Sequence, residues 1–250
     1  MSEQLSLLDS LSQTVPQADS AHFVVRESTR ARRLFLHVVP PFSVELVVPT
    51  GTRVRTVEAF LNANRQWIER ANAEIDRIYN GERSLMPQSI QIPTRSQRLG
   101  VCYRHKPDAH RHYRNSGDLL YIHCRQADMA DSAKILQKWL ISEARRTLAP
   151  WLYREAEKVG DVPKRVQVRL QRTRWGSCSG TGTISLNASL LLLDPALVRY
   201  VMIHELCHMR HMNHSAVYWR HVARFEPSYR DLDRQLGKSW ADMPYWALAK

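Results

Sequence analysis

The chain has 250 residues, of which 44% are hydrophobic and 24% are charged. This balance is typical of a globular protein that buries a sizeable core, as one large domain or two small ones, and it excludes a small fold that needs disulfide or metal staples. The formal net charge of +12 at pH 7 attracts polyanions. Nucleic acid or nucleotide is therefore a candidate partner, and a solvated basic surface without a partner explains the charge equally well.

The N-terminal segment and the cysteines indicate where the protein works. Residues 1–20 contain acidic and polar residues, no basic segment and no long apolar run, which predicts a flexible tail rather than a secretory signal or a membrane segment. The four cysteines form no Cys-x-x-Cys pair, which argues against a zinc ribbon and fits reduced thiols. We therefore expect a cytoplasmic protein with no membrane partner.

Short segments with alternating polarity follow the tail. Turn residues separate three of them, which predict short antiparallel strands: Phe23–Glu27, Arg33–Val39 and Val44–Val48. From Val54 to Ile78 the apolar residues recur with a helical period, which predicts one long helix that ends near Asn80-Gly81.

Two further strands are predicted over Gln88–Tyr103 and Leu119–Cys124, joined by a polar loop over Arg104–Arg114. The loop contains three histidines that could bind a second metal: His105, His110 and His112. No apolar periodicity holds them on one face, so a solvated hairpin tip is the favoured interpretation. These elements predict a β-rich region over residues 21–127.

A second region is predicted over residues 128–250, and it opens with a long helix over Ala130–Lys158 that Pro150 kinks or breaks. Alternating residues then predict strands over Arg165–Leu170 and Thr183–Asn187. The glycine-rich stretch Gly176–Gly182 reads as the turn between them. Two short helices are expected near the C-terminus, over Ala216–Phe225 and Tyr229–Leu236.

The main motif is His204-Glu205-Leu206-Cys207-His208, on a helix that begins at Asp194-Pro195. Aspartate is a favourable N-cap and proline suits the first helical position. The two histidines lie one turn apart, about 6 Å along the axis, so both imidazoles can bind one ion while Glu205 reaches a water on it. A chance match is the alternative, but these groups are costly to bury without a cation. We expect the helix over Ala130–Lys158 to pack against this one.

A tetrahedral catalytic site needs a third protein ligand and an open fourth position. The candidates are His211, His214, His221 and Glu226. If the helix continues, His211 lies about 10 Å along the axis from the first ligand, which is too far. His214 is better placed, because Asn213 tolerates a left-handed helix end and Ser215 can cap a new helix. The carboxylate of Glu226 is the second choice, and His221 fits a packing role.

Five stretches together resemble the YgjP-like zinc metallopeptidases, which are related to the WLM and SprT-type proteases: Arg174–Ser179, Ile184–Asn187, His204–His208, Met212–Ser215 and Tyr218-Trp219. The resemblance implies an α+β fold, with a β-rich N-terminal region and a long helix before a small gluzincin-like zincin domain with an antiparallel hairpin and an HExxH helix. It implies Zn2+ held by His204, His208 and His214. It also implies Glu205 as the general base.

In this family the hairpin lies along the active-site cleft, which would place Trp175 to Ser177 near the zinc. The candidate substrate-binding residues are Arg174, Trp175, Gly176, Ser177 and Tyr218. At the last of these, phenylalanine is more usual in the family. A purely structural role as a core aromatic fits Trp175 equally well.

The sequence thus predicts a cytoplasmic zinc metallopeptidase that acts on a peptide or protein substrate. One alternative is a metal-dependent nucleotide phosphohydrolase (pyrophosphatase), in which Arg172 and Arg174 would hold the phosphate charge. Against it, the chain has no Walker-type loop and no acidic magnesium cluster. A DNA-associated SprT-like protease is the other alternative, favoured by the basic excess. The donor for an oxyanion stays open among four residues: Arg172, Arg174, Tyr218 and His221.

Overall fold

The computed structural model describes residues 23–39, 43–79, 85–105, 112–124 and 129–248. Its internal contacts divide the chain into two compact units, residues 1–82 and residues 83–250. Within the described ranges, three sheets and seven helices confirm the predicted α+β class. The predicted tail over residues 1–20 lies outside these ranges. The predicted boundary between residues 127 and 128 also falls in an undescribed stretch and stays a prediction.

The first unit contains a three-stranded sheet of β1 (Phe23–Ser28), β2 (Phe35–Val39) and β3 (Ser43–Pro49). The central strand is β3, which pairs antiparallel with β2 and parallel with β1. The expected antiparallel pairing is therefore wrong for β1. Residues 29–34 connect β1 to β2 and are long enough to cross the end of β3, a distance of two strand spacings of about 4.8 Å.

Two helices, α1 (Val54–Ala63) and α2 (Arg65–Tyr79), replace the single long helix that the apolar stripe predicts. The break lies at Asn64, whose Nδ2 donates a hydrogen bond to the carbonyl of Phe60 at 2.7 Å. Such side chains compete with the helical backbone for hydrogen bonds. The predicted helix end at Asn80-Gly81 lies outside the described residues. The stripe still forms one core with β3: Val57, Leu61, Ile68 and Ile75 on the helices, and Val44, Leu46 and Val48 on the strand.

The second unit begins with a four-stranded sheet in the order β4-β5-β7-β6. Its strands are β4 (Ser89–Ile92), β5 (Gln97–His105), β6 (His112–Ser116) and β7 (Leu119–Cys124). A single 3-10 turn at Pro93–Arg95 interrupts the strand predicted over Gln88–Tyr103. The loop predicted over Arg104–Arg114 is wrong at both ends, because β5 reaches His105 and β6 begins at His112. Gly117, with φ 58°, provides the left-handed residue that joins β6 to β7.

The long helix α3 (Met129–Val159) agrees with the prediction and continues through Pro150. Its buried residues recur with helical spacing from Leu136 to Ala156. On one side it covers the four-stranded sheet, where Trp139 donates its indole N–H to the side-chain oxygen of Asn115 at 3.1 Å. It also packs against α4 (Pro195–Cys207), which confirms the predicted contact with the motif helix.

A second sheet in this unit has the order β8-β10-β9, with β8 (Arg165–Arg169), β9 (Gly176–Cys178) and β10 (Thr183–Asn187). The predicted pairing is wrong: β8 runs parallel to β10, and β9 forms the antiparallel hairpin with β10. The start of the glycine-rich stretch is thus a strand, not a turn. Asn187 fixes this path, since its buried Nδ2 donates to the carbonyls of Gln171 and Arg174 at 2.8 and 3.0 Å.

Three helices complete the chain: α5 (Ala216–Phe225), α6 (Tyr229–Lys238) and α7 (Tyr245–Leu248). The first two occupy the predicted positions. Trp246 of α7 is buried and packs on Trp139, with ring centroids 6.4 Å apart. None of the helices within the described ranges has both the length and the apolar character needed to cross a bilayer.

Candidate metal centre

Helix α4 carries two histidines at its C-terminal end. The helix begins as predicted, with the carboxylate of Asp194 accepting a hydrogen bond from the N–H of Ala196 at 2.8 Å and Pro195 in the first position. Most of the helix is buried, so core packing on several sides fixes its position. His204 lies in the last turn, and His208 follows as the C-cap residue.

The chain then turns back and brings His214 to the same place. The N–H groups of Arg210 and His211 donate to the carbonyl of Cys207 at 3.3 and 3.1 Å, which closes the helix end. The expected left-handed residue at Asn213 is wrong, because the backbone there does not have a positive φ. Ser215 caps α5 as predicted, its hydroxyl accepting from the N–H of residue 218 at 3.4 Å.

The Nε2 atoms of His204, His208 and His214 form a nearly equilateral triangle. They are separated by 3.2 Å (His204 to His208), 3.1 Å (His208 to His214) and 3.2 Å (His214 to His204). Two nitrogen ligands of a tetrahedral zinc, each about 2.0–2.1 Å from the ion, lie about 3.3 Å apart. The triangle therefore fits one tetrahedral cation with its fourth position open. In the described part of the chain, this is the one group of three or more histidine, cysteine, aspartate or glutamate side chains that lie close enough together to hold a metal.

Two of these imidazoles are held in the neutral form that metals require. Nδ1–H of His208 donates to the carbonyl of His211 at 2.9 Å, which leaves the lone pair on Nε2. Burial, together with the neighbouring His208 and His214, lowers the pKa of His204 to about 3. Burial also lowers the pKa of His208, although its bond to His211 opposes this. Deprotonation of these rings thus costs little when a metal binds.

Aromatic residues of α5 fix the orientation of the ligand rings. Tyr218 is fully buried and stacks on His208, with centroids 4.5 Å apart. Its hydroxyl donates to the carbonyl of His204 at 3.2 Å. Trp219 stacks on His214, with centroids 5.5 Å apart. These contacts position the three histidine rings relative to one another.

Glu205 is buried against Gly176 of β9. The glutamate is 5% exposed, and a Cβ added to Gly176 would lie 2.6 Å from its Oε1. Only glycine leaves room for this carboxylate. Burial, partly opposed by the positive charge of Arg174, raises the pKa of Glu205 to about 8. A bound divalent cation would also lower the pKa of this carboxyl group.

A cavity of about 210 Å³ opens beside His204 and Glu205. Its other lining residues come from the start of β9 and the residue before it, from α4 and from α6: Trp175, Gly176, Tyr200, Val201, Asp233 and Leu236. Tyr200 donates its hydroxyl to the carboxylate of Asp233 at 2.8 Å. Burial raises the pKa of Tyr200, and the bond to Asp233 raises it further. The cavity wall therefore contains a carboxylate that this hydrogen bond holds in place.

The other candidate ligands have different partners. The carboxylate of Glu226 accepts a hydrogen bond from Arg199, whose Nε also lies 3.3 Å from Glu155 of α3. His221 packs edge-on against His211, with centroids 5.4 Å apart. None of these side chains belongs to the metal-binding group. The structure thus brings together the preferred set of three histidines and gives Glu226 a structural ion pair.

Of the five predicted substrate-binding residues, Trp175 and Gly176 line the cavity. The ring of Trp175 is also buried and stacks on Trp240, with centroids 3.9 Å apart, so this residue lines the cavity and belongs to the core. Arg174 is exposed, and Ser177 lies in β9 opposite Ser185. Tyr218 packs against the rings of the three histidines and does not line the cavity. The substrate contacts of all five residues stay predictions.

The three histidines of the predicted polar loop do not converge within the described residues. His105 places Nδ1 3.0 Å from the sulfur of Cys124. His112 stacks on His123, with centroids 4.3 Å apart. His110 lies outside the described ranges.

Tyr200 and Asp233 are site residues that no motif marks in the sequence, and Asn187 lies in one of the five family stretches without a predicted role. Tyr200 precedes His204 by four positions, so the helical period places it beside the motif and provides a local signal. Asp233 has no such signal, because its place depends on how α6 packs. The role of Asn187 depends on a strand pairing that the alternation of residues does not specify.

Comparison with known proteins agrees with this geometry. A family model described as the YgjP-like metallopeptidase domain matches residues 32–239. The chain belongs to this family. Membership of the YgjP-like family confirms the resemblance read from the sequence and makes the protein a metallohydrolase of the peptidase type. No curated protein matches the chain.

One solved structure also matches this YgjP-like protein. It is the crystal structure of the metallopeptidase zymogen of Pyrococcus abyssi abylysin. The match has a TM-score of 0.30 and 25% sequence identity, and it covers 41% of this chain and 93% of that chain.

Proposed function

We propose that the protein is a cytoplasmic zinc metallopeptidase that cleaves peptide bonds, with His204, His208 and His214 as zinc ligands and Glu205 as the general base. The observation that carries the proposal is the convergence of three Nε2 atoms within 3.1–3.2 Å of one another, beside a buried carboxylate. The cytoplasmic location is supported by the four cysteines, all of which are free thiols.

Zinc suits the donor set. Neutral imidazole nitrogens bind zinc well, and three of them with an open fourth position make the usual catalytic arrangement. Other first-row metals bind such sites too, so metal identity needs its own measurement. When bound, zinc acts as a Lewis acid and acidifies a coordinated water. A minimal gluzincin-like domain is the fold that we propose for this catalytic part.

Glu205 is the group that moves protons in this proposal. Its carboxylate lies next to His204 and lines the cavity, so it can accept a proton from the attacking water and return it to the leaving amine. The contact with Gly176 limits its freedom to move. The side chain is therefore positioned for proton transfer before substrate binds.

The hairpin offers a place for an extended peptide. β9 is an edge strand, paired only with β10 in its sheet, and Gly176 at its start lines the cavity. An extended chain can add to a strand edge through main-chain hydrogen bonds, a mode that does not require a particular side-chain sequence. We propose that β9 aligns the substrate in this way and that Arg174 and Trp175 contact it.

A nucleotide phosphohydrolase is the second candidate. The observation that favours it is the positive charge of Arg174, which acts on Glu205 and would attract a phosphate group to the same site. Tyr218 is a poor donor for either oxyanion, because its hydroxyl already binds the carbonyl of His204. Arg174 is therefore the candidate donor whose removal would matter in both reactions.

Hydrolysis by the zinc-loaded wild type and by Glu205→Gln tests the proposal. Unfolded proteins are offered in one series and nucleoside triphosphates in the other. We expect protein cleavage that is lost in Glu205→Gln, while both proteins bind one zinc per chain. Glu157→Gln removes an exposed carboxylate of α3 and should cleave like wild type. Release of phosphate or pyrophosphate that is lost in the variant, without protein cleavage, would instead establish the phosphohydrolase.

A further inference from the structure

The four-stranded sheet of the second unit has one covered face and one open face. Leu99, Val101, Leu120 and Ile122 point to the covered face and are buried, and α3 packs there. The alternate residues of the same strands point outward. We call this side the outer face and define it by Arg98, Arg104, His112, Arg114, Tyr121 and His123. The three arginines and His112 are exposed, and the other two are half-buried.

Where the strands are described, the outer face is positively charged and contains no carboxylate. Besides the six defining residues, the outward positions of β4 to β7 carry only serine, glutamine, glycine, cysteine and leucine. No ion pair found within the described ranges includes Arg98, Arg104 or Arg114. Among the described residues, these guanidinium groups therefore have no acidic partner that neutralises their charge.

An aromatic ring lies beside two of these arginines. The guanidinium carbon of Arg104 lies 5.7 Å from the ring centre of Tyr121, and that of Arg114 lies 5.3 Å from it. His112 and His123 form a second stack beside them, with planes 4° apart. Tyr121 and His123 are two residues apart on one strand, so their rings are separated by about 6.6 Å along it.

We propose that the outer face binds single-stranded nucleic acid. Phosphates would pair with Arg98, Arg104 and Arg114, and bases would stack on Tyr121 and His123 or on the arginine planes. Exposed aromatic residues on a four-stranded sheet stack successive unpaired bases, and unpaired arginines track the backbone. This surface belongs to a different sheet from the metal centre, so the inference does not depend on the proposed peptidase activity.

A single strand fits this surface better than a duplex. Stacking on Tyr121 or His123 requires unpaired bases, because the bases of a duplex already stack on one another. Reading a duplex groove requires a protruding helix or ribbon, whereas the outer face is the side of a sheet. An acidic peptide would also be attracted by the charge but would gain nothing from the rings.

Fluorescence anisotropy of the full-length, zinc-loaded protein with a labelled oligothymidylate of about 12 nucleotides tests this inference, a length within the usual range for such sites. We expect Arg104→Gln combined with Arg114→Gln to weaken binding by at least about tenfold. The double variant should also reduce the slope of log K against log [salt] by about 1.4, or about 0.7 for each phosphate that it leaves unpaired. Tyr121→Leu should weaken binding at least about fivefold, whereas Tyr121→Phe retains it because it keeps the ring.

Matched control variants distinguish binding at the outer face from non-specific attraction to the net positive charge of the protein. Arg145→Gln combined with Arg154→Gln removes the same charge from exposed positions on α3 and should leave affinity within about twofold. Glu205→Gln should bind like wild type, whatever its effect on hydrolysis. If the two double arginine variants lose the same amount of affinity, the inference is overturned in favour of non-specific electrostatic attraction. A duplex bound as tightly as the single strand, with no effect of Tyr121→Leu, would overturn it as well, and so would the absence of binding at low salt.

Discussion

Gly176 lies so close to the side chain of Glu205 that no residue with a Cβ atom fits at position 176 unless the glutamate moves. A Cβ on Gly176 would come within 2.6 Å of Oε1, 2.7 Å of Cγ and 2.9 Å of Cδ of Glu205. These distances are shorter than van der Waals contact, and Glu205 as a whole is only 5% exposed. The hairpin strand and the motif helix are thus fitted to each other at the position where proton transfer is proposed.

We expect Gly176→Ala to lower peptide hydrolysis by about 10- to 100-fold, because the added methyl displaces the carboxylate from its working position. Zinc stoichiometry should stay at one per chain, since no ligand is touched. Gly180→Ala is the matched control, because an added Cβ meets nothing within 4 Å there. Steady-state kinetics and metal analysis check both variants. Unchanged kinetics in Gly176→Ala would show that the position of Glu205 does not limit the reaction.

Replacement of the third ligand should abolish stable metal binding. We expect His214→Ala to bind zinc more than about 100-fold more weakly, a larger loss than the roughly 10- to 100-fold produced by disturbing an outer partner of a ligand. His211→Ala should stay near wild type, because His211 supports the site through its backbone carbonyl. Competition with a fluorescent chelator measures both affinities. Equal affinities in the two variants would exclude His214 as a ligand.

Asn187 should be essential for the stability of the cleft. In Asn187→Asp the carboxylate cannot donate to the carbonyls of Gln171 and Arg174, so two part-buried acceptors lose this partner, at a cost of up to about 1–3 kcal/mol each. We expect a lower midpoint in urea unfolding of the metal-free protein. Asn213→Asp makes the same chemical change at an exposed position and should unfold like wild type. A stable Asn187→Asp variant would mean that the strand order does not depend on this amide.

Glu155 should make stability depend on pH. Burial alone would raise its pKa, but the hydrogen bond from Lys158, the charges of Arg199 and Lys158, and the bond from Trp151 together hold the pKa below its usual value. A lowered folded-state pKa stabilises the fold fully above the unfolded pKa of about 4.3. This stabilisation is lost as the pH falls through the folded-state pKa.

We therefore expect metal-free Glu155→Gln to be less stable than wild type at pH 7, by about 1–3 kcal/mol. The difference should shrink below about pH 4.3. Urea unfolding at several pH values measures it, and Glu157→Gln, an exposed neighbour on α3, is the control. A difference that stays constant down to low pH would indicate a packing defect rather than the removal of a charge.

Tyr218→Phe should be tolerated, because the contacts of the ring do not depend on its hydroxyl. The ring keeps its stack on His208, and the carbonyl of His204 keeps its backbone partner, the N–H of His208. We expect zinc affinity and hydrolysis to stay within about threefold, and stability to fall by about 0.5–1.5 kcal/mol. A much larger fall in hydrolysis with unchanged zinc binding would assign the hydroxyl a direct role toward substrate.

Much of the metal centre could be predicted from local sequence. The helix start at Asp194-Pro195 and the helical period place His204 and His208 on one side of one helix, and a helix has a fixed geometry that depends on few distant contacts. His214 follows after a short turn, so the number of arrangements open to it is small. The tertiary structure favours His214 over Glu226 as the proposed third ligand, because Arg199 binds the carboxylate of Glu226.

The sequence by itself therefore determined the α+β class, the long helix α3, the motif helix α4 and the use of histidines as candidate metal ligands. Only the tertiary structure decided that β8 runs parallel to β10, that β6 exists, and that Gly176, Tyr200 and Asp233 meet at one cavity. The physical reason is the range of the interactions. Helical period and capping act within a few residues, whereas strand order and the walls of a cleft depend on contacts between segments far apart in the chain, which residue alternation does not specify.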